Sequence, residues 1–284
     1  GLIIHLHAMH KYCIKLIMSK DIKNKVVLVT GGAIGIGYAI ADRFLQKGAK
    51  TVIIIDINEK LGKDAVTSLN SKYGTNKATF YKCDVTSPET TWSEITDTYK
   101  DVDVLVNNAG ILNDKEVKKT IDINVTALIE ISLMFWEYNR MDKSGKGGTI
   151  INLASIYGFR IDQFLPVYQA SKYAVMGFTK SLGHKYNFKR SGVRVMAICP
   201  GFTESKLTEN FIVWDDKIQD AFLEFTKDKL WQKVDSVGKA TVEIFEKAES
   251  GTAWLIEGGE PVKEFQKSVS LIPVKKNLLF HTHK

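Results

Sequence analysis

The chain has 284 residues, 44% of them hydrophobic and 25% charged, with a net charge of +7; these proportions are ordinary for a soluble globular protein, and the length suits one large α/β domain or two small ones. Lysines are spread along the sequence with no dense basic block interleaved with aromatics, which argues against nucleic-acid binding. Three cysteines (Cys13, Cys83, Cys199) without a C-x-x-C pair indicate a reducing compartment, the cytoplasm, and five of the six histidines lie near the termini, so no metal site is expected.

Residues 1–17 read as an extension outside the fold: their apolar runs are broken by His and Lys, too short for a signal peptide or a membrane span. Met18-Ser19-Lys20-Asp21 looks like a natural start. Lys25-Val26-Val27-Leu28-Val29 is a β-branched apolar run ending at glycines, which suits a strand buried on both faces. Residues 38–45 have helical spacing, with Gly48 as a stop signal. Residues 51–55 form a second strand ending at Asp56, followed by a helix to about Leu69. Residues 78–83 form a third strand, and Val104-Leu105-Val106 a fourth. A long helical stretch runs from about Lys115 to Met141. Thr149-Ile150-Ile151-Asn152-Leu153 is the fifth strand. Pro166 opens a helix to about Phe188. Residues 193–198 and 251–256 are the sixth and seventh strands. Strands alternating with helices imply parallel crossovers, and no linker or repeat divides the chain. We therefore expect one doubly wound α/β domain over residues 18–267, with 268–284 as a tail.

The first strand runs into Thr30-Gly31-Gly32-Ala33-Ile34-Gly35-Ile36-Gly37 and then a helix. Glycines let the backbone approach a pyrophosphate, and free N–H groups at a helix N-terminus face the anion. Gly31, Gly35, Ile36 and Gly37 are thus cofactor candidates. Asp56, 19 residues after Gly37, is placed to accept both ribose hydroxyls and to repel a 2′-phosphate, and Ile57 supplies no arginine for one; this favours NAD over NADP. Asp84-Val85 and Asn107-Asn108-Ala109-Gly110 follow the third and fourth strands at the same edge of the sheet, so Asp84, Val85, Asn108, Ala109 and Gly110 join the list.

Tyr168 and Lys172 are four apart, one turn of a helix. A phenol ordinarily titrates near 10, and a neighbouring ammonium favours the phenolate. Tyr168 is then a base for an alcohol proton, Ser155 a donor to the same oxygen, and Lys172 a ligand of the nicotinamide ribose. A second match to the spacing, Tyr73-Gly74-Thr75-Asn76-Lys77, carries Gly and Asn and reads as a loop.

With these motifs in this order, plus Asn124 and Pro200-Gly201, the chain resembles the short-chain dehydrogenase/reductase family over nearly all of residues 21–260. The resemblance implies a Rossmann-like, seven-stranded parallel sheet without metal. It implies that Asn124 holds a water in a proton relay through Lys172, that Pro200 and Gly201 border the cofactor, and that chains pair as a homodimer or homotetramer. Within the family, Val167-Tyr168-Gln169-Ala170-Ser171-Lys172, Gly177-Phe178-Thr179 and residues 191–202 look most like the NAD-dependent 15-hydroxyprostaglandin dehydrogenases and insect-type alcohol dehydrogenases. Those prostaglandin enzymes carry a glutamine three residues before the tyrosine; here the position is Leu165, a departure that bears on the substrate and not on the chemistry.

The segment of about 202–232 should cover the substrate. Its aromatics, with Phe164 and Leu165, suggest an apolar wall, and we take Phe164, Leu165, Phe202, Phe211 and Trp214 as substrate candidates. The expected activity is NAD-dependent oxidation of a hydrophobic secondary or long primary alcohol. The alternatives are an NADPH-dependent carbonyl reductase and a non-catalytic dinucleotide-binding protein.

Overall fold

The computed structural model describes residues 20–209 and 211–265. The expected N-terminal extension and C-terminal tail lie outside the described residues, as do Cys13 and the five terminal histidines.

Apolar β-branched runs become strands whose two faces are both covered. Val26–Thr30 (β1) and Thr51–Asp56 (β2) are buried throughout, apart from the half-buried Asp56 at the end of β2. Ala78–Lys82 (β3), Val104–Asn107 (β4), Gly148–Leu153 (β5), Val193–Pro200 (β6) and Ala253–Ile256 (β7) complete a parallel set. The spatial order is β3-β2-β1-β4-β5-β6-β7. One correction applies to the expected all-parallel sheet: an eighth strand, Lys263–Glu264 (β8), pairs antiparallel with β7. It is only two residues long and returns at the edge, where no crossover helix is needed.

Helices cover both faces. Gly35–Gln46 (α1), Glu59–Tyr73 (α2) and, late in the chain, Val234–Lys247 pack one face, with Ile40, Phe44, Leu69 and Phe245 in its core. The other face receives Glu89–Tyr99 (α3), then Val117–Ile121 (α4) and Leu128–Asn139 (α5), through Ile95, Phe135 and Trp136. Between α4 and α5 the chain makes a π-helical turn, Asp122–Ala127, which encloses Asn124. Pro166–Leu182 (α6) also packs this face, with Val175 and Met176 against Ala197 and Cys199. The helix expected to reach Phe188 stops at Leu182; after Gly183 a separate short helix, Lys185–Ser191 (α7), leads into β6. Lys206–Glu209 (α8), Gln219–Lys227 (α9) and then Val234–Lys247 (α10) follow β6. Strand order reverses between β1 and β4, so the chain leaves a crevice at their carboxyl ends, where open α/β sheets hold ligands.

Candidate active site

A cleft of about 540 Å3 opens at that edge, within the size range of small-molecule sites. At one end it is lined by Gly31, Ile34, Gly35, Ile36, Asp56, Asp84 and Val85, and at the other by Ser155, Tyr168, Lys172, Pro200 and Gly201. Asn108, Ala109 and Gly110 border the middle. Apart from Gly37 and Asn124, every residue selected for cofactor or chemistry from the sequence reaches it.

The glycine-rich turn is built for close approach. Gly35 has φ +61°, and a Cβ there would meet only Ser205 Cβ, at 3.8 Å, so its surface is open to the cleft. Gly37 is not among the lining residues: it faces inward, where a Cβ would stand 2.2 Å from the Gly31 carbonyl oxygen. Its role is to let α1 pack on the turn. The residue capping α1 is Ile34, whose side chain accepts no hydrogen bond. An uncapped helix start leaves N–H groups in need of an acceptor, which suits an anion.

Asp56 spends part of its carboxylate on the protein: one oxygen accepts the Ala33 N–H at 3.2 Å, the other the Asn58 N–H at 3.0 Å. It therefore fixes the turn while facing the cleft. The cations lining the cleft are Lys119, Lys172 and Lys206, and none of the lining residues is arginine.

At the far end, β5 delivers Ser155 and α6 delivers Tyr168 and Lys172 on one buried face. The Ser155 hydroxyl accepts the Tyr157 N–H at 3.2 Å and stands within hydrogen-bonding reach of the Tyr168 phenol. Lys172 Nζ donates to the Leu153 carbonyl at 2.9 Å and lies 5.5 Å from the centre of the Tyr168 ring. Burial pushes the Lys172 ammonium down to about 8. It pushes the Tyr168 phenol up to about 12, with Asp114 adding in the same direction and Ser155 opposing. In the protein without a cofactor, desolvation is the largest influence on this phenol.

Asn124 does not line the cleft. Its side chain accepts the Ile111 N–H at 2.8 Å and donates to the Ile111 carbonyl at 2.9 Å and to Ser171 Oγ at 3.2 Å. These bonds shape the loop after β4 and tie it to α6.

Of the substrate candidates, Phe202 and Phe211 line the cleft. Phe164 and Leu165 are fully packed behind it, in a cluster with Tyr168 and Phe222, because the loop before α6 turns them inward. Trp214 is half exposed on the outer side, its indole N–H donating to the Gln163 carbonyl at 3.2 Å. Sequence reasoning missed Leu112, Ile156, Tyr157 and Leu207, which complete the apolar lining. It also missed Thr30, whose hydroxyl accepts the N–H groups of Asn108 and Ala109, both at 3.0 Å. A threonine before a glycine turn was in view, but its partners are about 80 residues away. The second tyrosine–lysine match lies elsewhere: Tyr73 ends α2, donates to Asp42 at 3.0 Å, and is cut from Lys77 by Gly74 at φ +108°.

Among the described residues no group of His, Cys, Asp and Glu is arranged to hold a metal ion, and no helix is long and apolar enough to cross a membrane.

The fold and this cleft define a nucleotide-binding oxidoreductase scaffold, and the comparisons say which. Residues 25–216 match the model of the short chain dehydrogenase family, and the chain belongs to that family. It is 37% identical over 211 residues to 15-hydroxyprostaglandin dehydrogenase of Homo sapiens, a name qualified by NAD(+), covering 70% of this chain and 79% of that protein. It is 32% identical over 251 residues to alcohol dehydrogenase 2 of Ceratitis capitata, covering 85% of this chain and 95% of that protein. A solved structure of 3-ketoacyl-(acyl-carrier-protein) reductase from Brucella melitensis, complexed with NADH, superposes with a TM-score of 0.70 at 24% identity, covering 84% of this chain and 98% of that one. That last likeness concerns the fold alone.

Proposed function

We propose that the protein is an NAD-dependent dehydrogenase that oxidises a hydrophobic secondary or long primary alcohol to the carbonyl. The observation that carries this reading is a single cleft with an uncapped helix and Asp56 at one end and Ser155, Tyr168 and Lys172 at the other. The residues fit a dinucleotide. The turn from Gly31 to Ile36 and the start of α1 would take the pyrophosphate, Asp56 the adenosine ribose, and Asp84 and Val85 the adenine. Lys172 would take the nicotinamide ribose. When bound, NAD supplies the hydride acceptor.

The chain's own residues handle the proton. Tyr168 Oη takes it from the substrate hydroxyl as the carbinol carbon is oxidised, and Ser155 Oγ donates a hydrogen bond to the same substrate oxygen. Lys172 places a positive charge beside the phenol, favouring its ionised form. Leu112, Ile156, Tyr157, Phe202, Leu207 and Phe211 exclude water and select an apolar alcohol. The carboxylate at Asp56 and the lack of a lining arginine favour NAD over NADP. The names of the relatives from Homo sapiens and Ceratitis capitata agree with both the cofactor and the reaction class.

Two further features belong to this reading. Val117, Leu133 and Tyr173 are exposed apolar side chains on α4, α5 and α6, a surface for a second chain that supports a homodimer or homotetramer. Cys83 and Cys199 are buried free thiols, compatible with a cytoplasmic location.

The test is turnover of a panel of secondary and long-chain alcohols with NAD and, separately, NADP, followed by reduced-nicotinamide fluorescence. Oxidation with NAD is the expected result. Tight cofactor binding with no turnover across the panel would count against the reading.

A further inference from the structure

A buried carboxylate outside the expected site grips the residue that this reading makes the base. Asp114 is 3% exposed, in the loop between β4 and α4. One of its oxygens accepts the Val167 N–H at 2.7 Å and the other the Tyr168 N–H at 3.0 Å. These are the second and third residues of α6. The first, Pro166, has no N–H to satisfy, and the capping residue, Leu165, has no side-chain oxygen to offer. N-terminal N–H groups of a helix are normally taken by a capping Ser, Thr, Asp or Asn one to three residues upstream. Here the cap comes from more than 50 residues away. It also places a negative charge at the positive end of the helix dipole. Burial pushes the Asp114 carboxyl up, the two N–H bonds hold it down, and no cation contributes. A carboxylate kept dry with no cationic partner is costly, so its retention here calls for a role beyond packing.

The backbone of the same residue is fastened to the roof of the cleft. The Asp114 N–H donates to the Ile212 carbonyl at 3.0 Å, and Asn113 forms a parallel β-bridge with Ile212. Lys115 pairs with Asp216. Ile212 adjoins Phe211, which lines the cleft, and Val213, which is buried in the cluster containing Tyr168. Asp114 therefore holds the roof through its main chain and the first turn of α6 through its side chain.

We infer that Asp114 is a positioning residue that couples the seating of the substrate-covering segment to the placement of Tyr168. The inference rests on the proposed role of Tyr168, but its structural part can be read without turnover. The experiment compares the full-length wild type with Asp114→Asn and Asp114→Ala. Amide hydrogen exchange is followed in peptides covering 163–172 and 205–216, alongside kcat, KM and NAD affinity. Asn keeps the shape and one acceptor but turns an N–H toward one of the two amides.

Exchange should quicken in both segments together and nowhere else. The kcat should fall about 100-fold in Asp114→Ala, and by less in Asp114→Asn, as expected of a base displaced by a fraction of an ångström, while NAD affinity stays within about threefold. Unchanged exchange at 163–172 in Asp114→Asn would overturn the inference. So would quickening in one segment without the other, or global unfolding of both variants, which would make the role purely structural. If the wild type oxidises no alcohol, the proposed function fails while the exchange comparison still decides the coupling.

Discussion

Lys172 Nζ lies 5.5 Å from the centre of the Tyr168 ring, anchored there by its 2.9 Å hydrogen bond to the Leu153 carbonyl. The anchor matters because four-residue spacing on a helix sets only the face, and a lysine has four rotatable bonds with which to leave it. The carbonyl at the end of β5 converts a sequence spacing into a fixed charge.

That charge has a measurable cost to stability. Its titration falls from 10.5 to about 8 on burial. Below 8 the folded chain holds a dry ammonium; between 8 and 10.5 the unfolded chain binds the extra proton, so stability rises with pH across that window. The shift corresponds to about 3 kcal/mol, offset by about 1 kcal/mol for the hydrogen bond to Leu153. Lys172→Met should therefore melt several degrees higher than wild type at pH 7, lose that advantage by pH 10.5, and be inactive. Calorimetric melts at a series of pH values check this; equal melting temperatures at pH 7 would contradict it.

Asp56 is the cofactor gate in this account. Asp56→Ser leaves one side-chain oxygen, enough for one of the two N–H groups that the carboxylate accepts, and removes the charge. The ratio of kcat/KM for NAD over NADP should drop at least about tenfold, equivalent to about 1.4 kcal/mol. Steady-state kinetics with both cofactors measures it, and an unchanged ratio would assign the preference elsewhere.

Phe211 tests the substrate wall. It sits edge-on to Phe222, with ring centres 4.9 Å apart, and faces the cleft. Phe211→Leu should lower kcat/KM for long apolar alcohols about tenfold and leave short ones nearly unaffected, since a few buried carbons are worth about 1–3 kcal/mol. A uniform loss across chain lengths would mean that the residue supports the fold and not the substrate.

What the sequence disclosed, it disclosed through locality. The buried strands β1 and β2 are largely apolar runs, and β6 is one apart from Arg194, and the residues at their carboxyl ends fall on one edge by topology, so the cleft could be located before its shape was known. The failures have equally physical origins. Glu89–Tyr99 is rich in threonine, a poor helix former, and buries only Ile95 fully. Val234–Lys247 contains Gly238 and several β-branched residues, and its helix depends on packing against α1. The partners of the Asn124 amide, the Ile111 N–H and carbonyl, lie in another loop and could not be read from an isolated polar residue in an apolar stretch. Asp114 gave no signal at all, since a cap supplied from another loop has no fixed spacing. Phe164 and Leu165 were correctly read as apolar, but side-chain direction in an irregular loop has no period from which to infer a face.

The most direct test of the central claim is Tyr168→Phe, which deletes one oxygen and preserves the ring contacts to Tyr157. Single-turnover oxidation of the best alcohol should fall by about 10²–10⁴-fold, the range for loss of a general base, with NAD affinity essentially that of wild type. Oxidation at near wild-type rate in a variant that binds NAD normally would show that the proton leaves by another route, and the assignment of Tyr168 would be wrong.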